Sequence, residues 1–217
     1  MQKNMTKNGK KIDTRSWLYW LVIPLTFIVW SLWPQPQATW ELRMEESLLD
    51  QAATQSCPLL NLLSRYDFIV KSPQRIWNTE QTNLLLTLQA PRDLLPLSVD
   101  EINACSLALE TNLAVSNLAI QPGETLIEPF VGNESQIFLY AVSLRGTGIA
   151  RGEMWIVAKY KSAGASNAVR LPLFSVPIEI TPVSILGLPP ALVRYIAILV
   201  MLILLAVFFH RRLREGR

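Results

Sequence analysis

Residues 135–160 read SQIFLYAVSLRGTGIARGEMWIVAKY. In the first half Phe138, Tyr140, Val142 and Leu144 fall on one face, with Leu139 and Ala141 opposite. That is the period of two of a strand with one buried side. Arg145-Gly-Thr-Gly148 is a turn by composition. In residues 152–160, Trp155 and Val157 then alternate with Met154, Ile156 and Tyr160. Two strands joined by a glycine-rich turn set the character of the middle of the chain. Trp155 is read here as a core or inter-sheet aromatic; the sharper reading is an exposed docking side chain.

The same period continues on both sides. Residues 67–71 are short and extended, and 83–89 (NLLLTLQ) reads as a buried strand. Asn103, Cys105, Leu107 and Leu109 alternate with Ala104, Ser106 and Ala108. A further strand over 113–120 is expected across a Thr111-Asn112 connection. Gln121-Pro-Gly-Glu124 is a turn. Residues 169–180 form the last extended stretch. Pro172 and Pro177 lie inside it, and proline cannot donate to a ladder, so this strand is expected at an edge or with a bulge. Repeated short strands of this kind predict a mainly β fold, an immunoglobulin-like β-sandwich over residues 65–186. The Cys…Trp…Cys spacing of antibody domains is absent.

Ahead of the strands, Leu42, Leu49, Ala52 and Ala53 follow a loose 3.6 spacing. They predict a helix over 38–56, capped by Thr39 and stopped at Ser56-Cys57-Pro58. A membrane-proximal helical segment is therefore expected over 34–64. Trp40 is placed at the membrane interface by its closeness to the apolar run before it.

Two apolar runs, 17–33 and 191–209, bracket this domain, and each falls in the roughly 17–25 residues that cross a bilayer core as helix. Lys3, Lys7, Lys10, Lys11 and Arg15 precede the first; Arg211, Arg212, Arg214 and Arg217 follow the second. Short flanks rich in Lys and Arg stay in the cytoplasm, so residues 1–16 and 210–217 read as cytoplasmic tails. The domain between is then extracytoplasmic, on a two-pass protein of the cell (plasma or inner) membrane, with 187–190 as a proline-stiffened linker. Trp17, Trp20, Trp30 and Trp33 suit the two interfaces of the first span, and Arg194, Arg211 and Arg212 anchor the second. A cleaved signal peptide is the rival reading of the first run. Its length exceeds the usual run of about 7–15, and Pro36 stands where cleavage before Thr39 wants a small residue.

The formal net charge of +3 comes from the membrane flanks, since acidic residues outnumber basic ones in between. This argues for contact with membrane lipid and against a nucleic-acid partner. The single histidine is His210. The outer domain therefore lacks the residue for a Ser-His-Asp or Cys-His centre and for histidine-based zinc sites. No GxGxxG or GxxxxGK[ST] occurs. Neither acidic doublet, Glu45-Glu46 or Asp100-Glu101, aims two carboxylates at one point. No catalytic, cofactor or metal residues are assigned. Cys57 and Cys105 are the only cysteines. In an oxidising compartment they form a bridge worth on the order of 3–4 kcal/mol; the alternative is two buried thiols. Asn133-Glu134-Ser135 matches a glycosylation triplet.

The composition points to a non-enzymatic protein that presents its sandwich for protein–protein interaction, as a subunit or accessory factor of a membrane assembly. An extracytoplasmic ligand-binding sensor that signals through a partner is the alternative.

Overall fold

The computed structural model describes residues 14–32, 35–44, 57–91, 104–132, 134–184 and 187–215. It divides into two units, Gln35–Ser184 and the pair of segments Met1–Pro34 with Ile185–Arg217.

The first unit is two five-stranded sheets. The strands are β1 (Gln37–Leu42), β2 (Asp67–Pro73), β3 (Arg75–Trp77), β4 (Gln81–Gln89), β5 (Cys105–Val115), β6 (Leu118–Gln121), β7 (Thr125–Pro129), β8 (Gln136–Leu144), β9 (Ala150–Ser162) and β10 (Val169–Val183). One sheet runs β1-β2-β4-β8-β6 and the other β3-β10-β9-β5-β7. Every pair is antiparallel except β3 with β10.

Alternation drives this arrangement. Leu84, Leu86 and Leu88 of β4 and Phe138, Tyr140 and Val142 of β8 line the inner face of the first sheet; Leu107, Leu109 and Leu113 of β5 and Met154, Ile156, Ala158 and Tyr160 of β9 line the second. Each large apolar side chain so removed from water contributes about 1.5–3 kcal/mol. Phe68 of β2 meets Phe174 of β10 edge to face across the sandwich, with ring centroids 5.0 Å apart. One polar contact also crosses it. The Tyr140 hydroxyl lies 2.6 Å from the Thr111 hydroxyl and donates to the Thr111 carbonyl at 3.0 Å.

That contact corrects the expected break at Thr111-Asn112. Thr111 is fully buried, and because Tyr140 satisfies its hydroxyl the polar residue stays inside a continuous β5. The turn comes later, at Ser116-Asn117. Asn117 takes φ 56° there, a left-handed conformation that Asn tolerates. Near the same end β9 needs a glycine: a Cβ on Gly152 would overlap the Ala114 carbonyl oxygen and come within 2.6 Å of Val115 Cα.

Over residues 38–42 the expected helix is corrected as well. Residues 37–42 are β1, and Ala38, Trp40 and Leu42 alternate with exposed Gln37, Thr39 and Glu41. Trp40 is half-buried and packs against the sandwich core. Residues 45–56 lie outside the described ones. Pro58 starts a helix where it was expected to end one: α2 spans Pro58–Leu63, because a residue with fixed φ and no N–H fits the first turn. Leu59, Leu60, Leu62 and Leu63 are buried. Cys57, just before α2, is bonded to Cys105 at the start of β5, with Cα atoms 5.4 Å apart.

The last strand agrees with its prolines. A bulge falls between Pro172 and Phe174. Among the described residues β10 pairs on its outer side only over Thr181–Val183, with β3, so there both Pro172 and Pro177 sit where no described partner asks for an N–H. At the other end of β10 the chain turns back on its own start. The Gln74 N–H donates to the Pro36 carbonyl at 2.9 Å, and the Gln74 carbonyl accepts from Thr181 N–H at 2.9 Å. The two ends of the Gln35–Ser184 segment thus leave the sandwich side by side.

In the second unit, α1 spans Thr14–Leu32 with Pro24 inside it, and α3 spans Pro190–Glu215. Ala191–His210 is long and apolar enough to cross a membrane, with mean hydropathy 2.8. The apolar part of α1, Tyr19–Trp30, is shorter than a span. Trp20 and Trp30 are exposed on α1. Arg194 sits near the start of α3. Trp33, the tail 1–13 and the side chains of Trp17, Arg211 and Arg212 lie outside what is described.

Two measurements test this core. Tyr140→Phe leaves the buried Thr111 hydroxyl without its partner and is expected to cost about 1–3 kcal/mol by chemical denaturation, whereas Tyr140→Phe with Thr111→Val recovers most of that loss. Burial raises the ionisation of both Tyr66 and Tyr140 above 10.0, and the hydrogen bonds to Tyr140 only partly oppose it. The unfolded chain therefore releases these protons first. Stability present below pH 10.0 should fall as pH rises through the raised folded values, and phenylalanine at both positions should flatten that fall.

Candidate functional site

Cross-strand register brings together the outward face of the second sheet. Trp155 on β9 is opposite Ser175 on β10 and Asn112 on β5, and Asn112 is opposite Thr125 on β7. The next row is Pro172, Val157, Glu110 and Ile127, and the one after it Arg170, Lys159, Ala108 and Pro129. β9 is the central strand of this sheet, so Trp155 stands near its middle with small or polar side chains on either hand.

Trp155 is 43% exposed and Ile127 54% exposed. The expectation of a core Trp155 is thus corrected. Met154, Ile156 and Ala158 fill the inner face of β9, and the period of two sends Trp155 outward. The alternation had placed Trp155 opposite Met154 already; only the identity of the inner face was missing.

Polar groups around the indole are held in place. Glu110 is buried, its side chain 9% exposed, and Arg170 spans from β10 across β9 to pair with it. The Arg170 side chain itself remains 60% exposed. Ser175 Oγ donates to Glu153 Oε2 at 2.9 Å, and Asn112 Nδ2 donates to Thr125 Oγ1 at 3.1 Å. Arg151 and Glu179 pair at 3.1 Å farther along the same face. An exposed pair such as this last one contributes little. Glu110 differs, because a nearly buried carboxylate without its cation would be costly. No short sequence signal marks the Glu110–Arg170 pair, since its members are far apart in the chain and only sheet order joins them.

The outward face of the first sheet has an apolar patch of its own, among polar residues such as Lys71 and Thr87. Ile69 of β2 and Leu85 of β4 are half-buried there, next to Ile137 and Leu139 of β8, which are 60% and 48% exposed. Among the described residues no group of three His, Cys, Asp or Glu is placed to hold a metal ion. Asp100-Glu101 and Asn133 lie outside the described residues.

No family model matches the chain, and no curated protein matches it. Solved structures similar to it include the crystal structure of the complex formed between zinc 2-glycoprotein and prolactin inducible protein from human seminal plasma. That match has 11% identity and a TM-score of 0.33, and covers 54% of this chain and 93% of the other. A likeness this slight carries no functional argument.

Replacing Arg170 tests whether this face is built around its buried acid. Arg170→Ala is expected to lower stability by about 1–3 kcal/mol because the Glu110 carboxylate stays in place unpaired. Lys159→Ala, in the same row, is expected to change it by less than about 0.5 kcal/mol. Equal effects in denaturant titration would show that the pair has no special place.

Proposed function

We propose that this chain is a non-enzymatic two-span membrane protein that holds an immunoglobulin-like sandwich outside the membrane and docks protein partners on it. It serves as a subunit or accessory factor of a larger membrane assembly. The observation that carries the docking role is an outward face that bears the exposed Trp155 and, two rows along, an Arg170 pinned by Glu110 from the row between. Tryptophan and arginine dominate interface energetics when they stand in the centre of a patch rimmed by polar groups.

Other observations support the rest. A chain path that changes sheets, β2 into β3, and then pairs parallel with the last strand is compatible with an immunoglobulin-like topology. α3 is long enough for one span. The apolar run 17–33 continues beyond the described apolar part of α1 on both sides. The two ends of the sandwich segment emerge together at Gln74, as a domain tethered at both termini to one surface requires. A disulfide between Cys57 and Cys105 suits an oxidising compartment. Tails rich in lysine and arginine suit the cytoplasmic side.

Impermeant amine labelling of intact cells should reach Lys161 and Lys71 and miss the lysines of residues 1–16; labelling of the tail without permeabilisation would overturn the topology. Gentle detergent extraction followed by crosslinking should return the wild-type chain in a complex. Trp155→Ala should release it as a monomer with an unchanged melting temperature. A wild-type chain that is itself monomeric would count against the assembly role.

A further inference from the structure

We infer that the open edge of β1 is a second binding site, which takes an extended segment of a partner protein as an added antiparallel strand. The backbone geometry decides which groups are on offer. The Gln74 N–H bonds the Pro36 carbonyl, and the β1–β2 register pairs Gln37 with Pro73 and each following residue in turn. In an antiparallel ladder mutually bonded pairs alternate with unbonded ones. Ala38, Trp40 and Leu42 therefore bond to β2, and the N–H and carbonyl groups of Gln37, Thr39 and Glu41 point away from it. Among the described residues no backbone group pairs with those three.

The other edges of the sandwich are guarded. β10 carries Pro172, Pro177 and a bulge along its open length. β3 is three residues long and β6 four. β7 is five residues and ends in Pro129. Short strands, prolines and bulges are how sheets avoid pairing with other chains. β1, six residues reading QATWEL, has none of these devices and no lysine.

The side chains define the occupant. Ala38, Trp40 and Leu42 face the core yet stay half-exposed, and among the described residues no further strand pairs beyond them. Thr39 and Glu41 are exposed on the opposite face. A docking strand should therefore alternate, with apolar residues beside Trp40 and Leu42 and basic or hydroxyl residues beside Glu41 and Thr39. Backbone bonds supply affinity in strand addition and the alternate side chains supply choice. This site is separate from the Trp155 face and does not depend on it.

The test is amide exchange, residue by residue, on the full chain in detergent micelles. The probe is a synthetic octapeptide alternating valine with lysine or threonine, at millimolar concentration. In the free protein the amides of Gln37, Thr39 and Glu41 should exchange quickly and those of Ala38, Trp40 and Leu42 slowly. With peptide the first three should slow by about tenfold or more. The same peptide N-methylated at its lysines and threonines, whose N–H groups must face β1, should have no effect. Thr39→Pro, which removes an outward N–H and leaves the β1–β2 bonds, should abolish protection elsewhere on the edge; Trp155→Ala should not. Three outcomes overturn the inference: no slowing with the unmethylated peptide, equal slowing with both peptides, or slowing that follows protein concentration alone. The last would make a second copy of the chain the occupant.

Discussion

The backbone of Gln74 bonds to both sheets at once. It donates to Pro36 beside β1 and accepts from Thr181 of β10. Because β2 ends and β3 begins around this one residue, the chain passes from one sheet to the other without a loop. The start and end of the sandwich segment are thereby brought to one place. Strand order on both sides follows: β2 leads the first sheet into β4 and β8, and β3 sets the parallel contact that closes β10. A domain whose two ends leave together can be tethered twice to one surface.

Within that frame, the interior is held by apolar burial and by the polar crossing between Thr111 and Tyr140. Thr111 and Tyr140 satisfy each other where neither meets water, so both can sit in strands that face the core. The disulfide from Cys57 to Cys105 fixes α2 to the start of β5. The outer faces then carry the chemistry left over. One has an apolar patch around Ile137 and Leu139; the other carries an exposed indole and, two rows along, a buttressed guanidinium. The edges divide similarly, with prolines and bulges on β10 and a bare backbone on β1.

Much of the fold was legible. β8, β9, the turn between them and the proline-laden last strand follow from alternation and from what proline lacks, both properties of neighbouring residues. The failures share a cause. Residues 38–42 were expected to open a helix because of a loose 3.6 pattern, although Ala38, Trp40 and Leu42 already alternated with Gln37, Thr39 and Glu41. The stronger signal was outweighed by a longer, weaker one. Thr111-Asn112 looked like a connection because its polarity was visible and its partner on β8 was not. Trp155 was given its correct relation to Met154, but the inner face was assigned to the larger ring.

Alone, then, the chain of residues determined its strand periodicity, its turns, its two apolar runs, its basic tails and the absence of histidine from the middle. These depend on spacing over a few positions and on composition. Which side of β9 is inside, which cation meets Glu110, where Trp40 packs and which strand edge stays open were decided only in three dimensions. Each depends on a strand far off in sequence, and periodicity carries the phase of a strand without naming the surface it will meet.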